Sequence, residues 1–184
     1  MSQKANNTLA RLPDRTGLFE AAHHSSGEEQ MPRISISDLP AYTGSGPITR
    51  LAGELGPYEG RAISAAFGME KLGASMETLM PGSASSHRHW HERTDELVVV
   101  LEGELMLSEN NGETPLKTGD IAVFPAGIDN GHCLRNASAS PARFLVVGTR
   151  DPEDRCIYSD IGVVMQPDGQ LVGLDGKPLE DGNG

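Results

Sequence analysis

His87-Arg88-His89-Trp90-His91-Glu92-Arg93-Thr94-Asp95-Glu96 runs directly into Leu97-Val98-Val99-Val100-Leu101-Glu102-Gly103. The second half is rich in β-branched residues, too short for a typical helix, and closed by a glycine, so it reads as a strand. In the first half, residues two apart in an extended chain point to the same face. His89 and His91 therefore project together, roughly 6–7 Å apart along the chain by strand rise. Two imidazoles at that spacing can converge on one ion. A turn through Arg93 and Thr94 lets Glu96 lead the next strand and face the same interior. Its carboxylate adds negative charge and a hard oxygen, which favours a divalent cation over a neutral guest. His87 has the same parity, so the stretch offers two His-x-His pairs.

Outward from this stretch, the pattern on both sides is one of short strands. Residues 62–67 are a short apolar run, and residues 72–80 alternate close to period two until Pro81-Gly82 stops them. After Gly103 the strand pattern resumes at residues 104–107, and Asn110-Asn111-Gly112 is a hairpin turn signal. Further strands are expected at residues 121–124, 132–136 and 143–147, with one more at 161–165 pairing at a sheet edge or with a second subunit. Strands recurring every 8–12 residues or so imply a sandwich or barrel. No helix longer than two turns is expected. Residues 41–60, rich in Gly and Pro, read as a loop over the sheets.

Two passages in this frame resemble the motifs of the cupin family. His89-x-His91, four residues, Glu96, six residues, Gly103 is similar to the first cupin motif. Taking His87 and His89 instead leaves six residues before Glu96 and breaks that pattern. Gly82 lies six residues before His89 where the consensus has five, a change confined to a loop. Gly119-Asp120-Ile121-Ala122-Val123-Phe124-Pro125-Ala126-Gly127, followed by His132 and Asn136, resembles the second motif. Four residues separate Gly127 from His132 against a consensus two, which lengthens a turn. The chain is thus identified as a small single-domain cupin. The resemblance implies an all-β fold, a double-stranded β-helix (jelly-roll) barrel. It also implies one divalent metal ion on His89, His91, Glu96 and His132. The barrel is expected over residues 31–165, with a flexible polar arm at 1–30 and a loose acidic tail at 166–184.

Other residues receive plainer readings. His87 is expected at the pocket mouth or surface. Trp90, of opposite parity to its neighbours, should pack outward against a loop or partner subunit. Cys133 alternates away from His132 and reads as a buried apolar residue. His23-His24 sit without ligand-spaced partners in the arm and read as solvated surface. Met31 opens a more ordered-looking segment, so a start at Met31 is an expectation that intact mass can check.

Composition limits the partners. A formal net charge of −11 over 184 residues repels phosphate backbones and anionic lipid, so nucleic acid and membrane partners are not expected. Two cysteines, Cys133 and Cys156, are too few for a disulfide framework, and the N-terminus lacks a signal-like apolar stretch. Cytoplasmic residence is the expectation. Three imidazoles and one carboxylate suit Fe, Mn, Ni, Cu or Zn. The resemblance implies a small polar substrate in the barrel mouth and a metal-dependent enzyme of dioxygenase, isomerase or decarboxylase/lyase type. The alternative is a non-catalytic cupin that binds or senses a small molecule. Such sensors commonly accompany a DNA-binding segment, and this chain has no helix-turn-helix pattern. A homodimer is expected because the outer sheet offers apolar edges that need cover.

Overall fold

Val98 and Val100 alternate with Leu97, Val99 and Leu101 along β5 (Glu96–Glu102), and the alternation sorts a dry face from a wet one. Val98 and Val100 are buried, while Leu101 on the other face is exposed. The computed structural model describes residues 33–43 and 55–179. Within them β5 lies between β8 (Ile121–Phe124) and β10 (Ala142–Thr149), antiparallel to both. On its far side β10 pairs with β3 (Leu72–Leu79), which is followed outward by β2 (Tyr58–Ala62) and β1 (Tyr42–Thr43). These six strands make one sheet in the order β1-β2-β3-β10-β5-β8.

Two smaller sheets face it. One orders β7 (Gly112–Lys117), β6 (Glu104–Glu109) and β9 (Cys133–Arg135). The other orders β13 (Leu171–Gly173), β12 (Val163–Met165), β11 (Cys156–Tyr158) and β4 (His89–His91). A single antiparallel bridge stitches them together, with His89 and His132 exchanging N–H···O bonds of 3.1 and 2.9 Å. The ladder is otherwise not continuous around the barrel. Leu79, Val98, Val100 and Phe144 from the large sheet pack against Leu105, Leu107, Leu116 and Leu134 from the three-stranded one, and this is the main core. Asn136 closes it at one end, buried and donating to the carbonyls of Leu79 and Ser140 at 2.8 Å each.

The fold is nearly all β, as the turn-punctuated pattern predicts, with differences that have physical causes. Residues 62–67 do not form a strand of their own, because Ala62 ends β2 and Ile63–Ala66 forms one helical turn, α1. Ser64 anchors it, accepting the Ala74 N–H at 3.0 Å, and a short apolar run does not distinguish strand from helix. The expected loop at 41–60 carries β1 and the start of β2. Strand β7 returns from the Asn110-Asn111-Gly112 hairpin turn, although its own residues give no strand pattern, being mostly exposed and including Pro115, which suits only an edge. The segment 166–184, expected as loose, carries β13, whose Val172 is buried, and strand order continues past the expected barrel end at 165. Trp90 packs beside Ile157, Val164 and Val172, its neighbours on the same face of the four-stranded sheet. The expected arm at 1–30, His23, His24 and Met31 lie outside the described residues. Among those described, no helix is long and apolar enough to cross a membrane.

Candidate metal centre

The joint between the two small sheets brings the histidines together. Strand β4 alternates His89, Trp90 and His91, so Trp90 enters the small core on one face while both imidazoles emerge on the other. The His89–His132 bridge sets the third imidazole beside the first, with ring centroids 4.8 Å apart; those of His89 and His91 are 5.3 Å apart. Glu96 comes from the opposite sheet. It shares the inward parity of Val98 and Val100, and its Oε1 lies 3.4 Å from His132 Nε2. Phe124, paired with Glu96 across the ladder, stacks its ring on His132 at 3.5 Å between centroids.

Donor atoms of His89, Glu96 and His132 lie within 4.8 Å of one another, and so do those of His89, His91 and Cys156. The two groups share His89. His87 belongs to neither, and its Nε2 is buried without a hydrogen-bond partner among the described residues. Sequence reading missed Cys156, which reaches the cluster because β11 pairs Cys156 with His91 and Tyr158 with His89. No local signal in a three-residue strand announces that register. It also missed Asp154, whose Oδ2 is 2.6 Å from His91 Nδ1. Cys133 is buried, as its parity predicts, and burial pushes its thiol up to about 11.

Hydrogen bonds to the outward nitrogens orient the rings. His89 Nδ1 lies 3.0 Å from the His87 carbonyl oxygen and 2.9 Å from the Ser86 hydroxyl; donation to the carbonyl, which can only accept, leaves Nε2 with its lone pair. The Asp154 carboxylate selects the same tautomer in His91. Burial first, then the neighbouring His132, brings the His89 imidazole down to about 4, so it is neutral at ordinary pH. Burial works to raise Glu96, but the His132 hydrogen bond and the surrounding imidazoles outweigh it and hold the carboxyl below its usual range. The neutral His89 imidazole with its Nε2 lone pair and the ionised Glu96 carboxylate are donors a divalent transition ion takes, and His132 turns its Nε2 to the same carboxylate. His132 Nδ1, buried and unpartnered among the described residues, is the one ring nitrogen of the three left without a role.

Known proteins match the same region. A family model described as a cupin domain covers residues 75–148. A solved structure from Silicibacter pomeroyi DSS-3, described as a sugar phosphate isomerase from a cupin superfamily, is 37% identical with a TM-score of 0.76. The match takes in 82% of this chain and 98% of that one. The polyketide cyclase RemF from Streptomyces resistomycificus shares the fold at 19% identity and a TM-score of 0.52, over 66% of this chain and 81% of that one. The uncharacterised protein YjlB of Bacillus subtilis (strain 168) is 36% identical over 70 residues, which are 36% of this chain and 39% of that protein's length.

Proposed function

This chain belongs to the cupin superfamily, and on that premise we propose that it is a metal-dependent enzyme that isomerises a small polar hydroxy-carbonyl compound. His89, His91, Glu96 and His132 hold one divalent ion in this reading. The observation that carries it is that donor atoms of His89, Glu96 and His132 come within 4.8 Å of one another from opposite sheets, while His91 stands in a second group that shares His89. Likeness to the sugar phosphate isomerase, over nearly all of that chain, favours isomerisation among the reactions the fold supports. When bound, the ion supplies Lewis-acid polarisation of a substrate oxygen. The protein's own part is to present the neutral His89 imidazole, keep Glu96 ionised, and seat the substrate at the end of the barrel away from the Leu79 and Leu105 core.

Elemental analysis of protein from its native host, beside His132→Ala, tests the assignment. One equivalent of a divalent metal in the parent and little in the variant is expected; unchanged content in His132→Ala rejects His132 as a ligand. Interconversion of ketose and aldose phosphates by the metal-loaded protein tests the reaction. A protein that binds such compounds and converts none is a sensor. The proposal extends to a homodimer, supported by Ile121 and Val123, 61% and 64% exposed on the outer face of edge strand β8. Sedimentation of the native chain as a monomer would remove that part alone.

A further inference from the structure

A carboxyl group inside the barrel is not accounted for by metal binding or by the core. Glu77 lies on the inward face of β3, two residues from the fully buried Leu79, and pairs with Phe144 of β10 on one side and Gly60 of β2 on the other. Protein surrounds it almost completely, yet part of its surface stays accessible, as for His89 and Glu96; all three line the interior rather than fill it. The Ser75 hydroxyl donates to Glu77 Oε1 at 3.0 Å. That bond leans the carboxyl along β3 toward the end where Glu96 stands, because Ser75 is level with Val146 and Val98, and Gly73 with Gly148 and Glu96. Gly73 and Gly148 place no side chain on the inner wall level with Glu96, and Val146 of β10 stands between the two carboxyls.

Apart from the Ser75 hydrogen bond, the described residues give the charge of this acid no support. The titratable groups that face it are Tyr42 on β1, Tyr58 on β2 and Glu96 on β5, and no cation is among them in the described residues. Desolvation first, and the Glu96 charge with it, push the carboxyl up to about 7 against the pull of Ser75. A buried carboxyl without a cationic partner costs stability, and such groups cluster where proton transfer is needed. The wall around it is built to that end. Tyr42 lies directly across Gly60 from Glu77, and its ring occupies the space a side chain at Gly60 would take.

We propose that Glu77 is a proton-transfer residue of this cavity, taking a proton from the carbon beside a substrate carbonyl and returning it to the adjoining carbon. Ser75 is its positioning residue. The inference rests on the isomerase reading above and deepens it, since an acid–base group separate from the metal-binding carboxylate is what a hydroxy-carbonyl substrate requires. As Glu77 accepts the proton, the C–H electron pair becomes a carbon–carbon double bond and the carbonyl pair moves onto oxygen. The hydroxyl proton passes to that oxygen, a new carbonyl forms on the other carbon, and the Glu77 acid protonates the remaining centre. Every atom of the substrate is retained, and neither oxidant nor reductant is consumed.

The test uses the full metal-loaded chain with D-fructose 6-phosphate, D-ribulose 5-phosphate and dihydroxyacetone phosphate in deuterium oxide, following exchange at carbon by proton NMR. The parent should exchange deuterium into at least one of them, with a pH–rate profile that bends near neutrality. Glu77→Gln should lose about a hundredfold or more in kcat with little change in KM and unchanged metal content. Glu77→Asp should keep part of the rate, and Ser75→Ala should move the bend to higher pH. Exchange by Glu77→Gln at the parental rate, or with the parental pH profile, overturns the assignment and leaves the isomerase reading standing. A parent that binds metal but exchanges none of the three overturns both. If Glu77→Gln fails to fold, the Ser75→Ala profile decides, and an unmoved bend counts against Glu77.

Discussion

His91 donates its Nδ1 proton to the Asp154 carboxylate at 2.6 Å, a contact between positions 63 residues apart. The other oxygen of Asp154 accepts the Arg93 N–H at 2.8 Å, so the carboxylate is held from two sides before it orients the ring. Second partners of this kind set tautomer and direction, and removing one typically weakens metal affinity about 10–100-fold. Asp154→Ala should show that loss in a chelator-competition titration, while Asp160→Ala, which removes only the exposed partner of Arg88, should not. Equal affinity in Asp154→Ala and the parent would mean that His91 is oriented by something else.

Cys156 lies in the second donor group, with His89 and His91. With four other donors available, its thiol should be dispensable. Cys156→Ala is expected to bind one equivalent of metal with parental affinity. A loss of stoichiometry would make the thiol a ligand and the ligand set softer than three imidazoles and a carboxylate.

Glu77 should leave a signature in stability as well as in rate. Its folded value, about 7, stands above the ordinary 4.5, so the folded state holds a proton that the unfolded chain releases between those two values. Stability from this group is present in full below 4.5 and is lost as pH rises through about 7. Glu77→Gln cannot ionise. In urea unfolding of the metal-free protein it should match the parent near pH 4.5 and exceed it at pH 8, by at most about 3 kcal/mol. The same difference at both pH values would show that Glu77 ionises normally in the fold.

Gly60 and Tyr42 are coupled through space. A Cβ at Gly60 would fall 2.2 Å from the Tyr42 ring, so Gly60→Ala must displace the tyrosine. The expected cost is about 1–3 kcal/mol in chemical denaturation, despite the lower chain entropy of alanine when unfolded. In a Tyr42→Ala background the cost should shrink or change sign. Additive effects would place the ring elsewhere.

Much of the site can be read along the chain. The spacing His89-x-His91, Glu96 and His132 resembles the cupin motifs, and the strand parity that turns Trp90 from its neighbours is a two-residue pattern visible in any window. Strands β5 and β8 are legible for the same reason, since each alternates a dry and a wet face. Strands β7, β11 and β13 are not, because they are short or mostly exposed and carry little periodicity. Asp154 and Cys156 were invisible with them.

The order of residues along this chain determined which side chains could face inward together and at what intervals potential ligands recur, because an extended backbone repeats every two residues whatever surrounds it. Only the tertiary structure decided that β11 lies beside β4, that Asp154 meets His91, and that Glu77 shares an interior with Glu96. Those are choices of register between distant strands. Packing and hydrogen bonding of the assembled sheets make them, and neither is written in the neighbourhood of the residues they join.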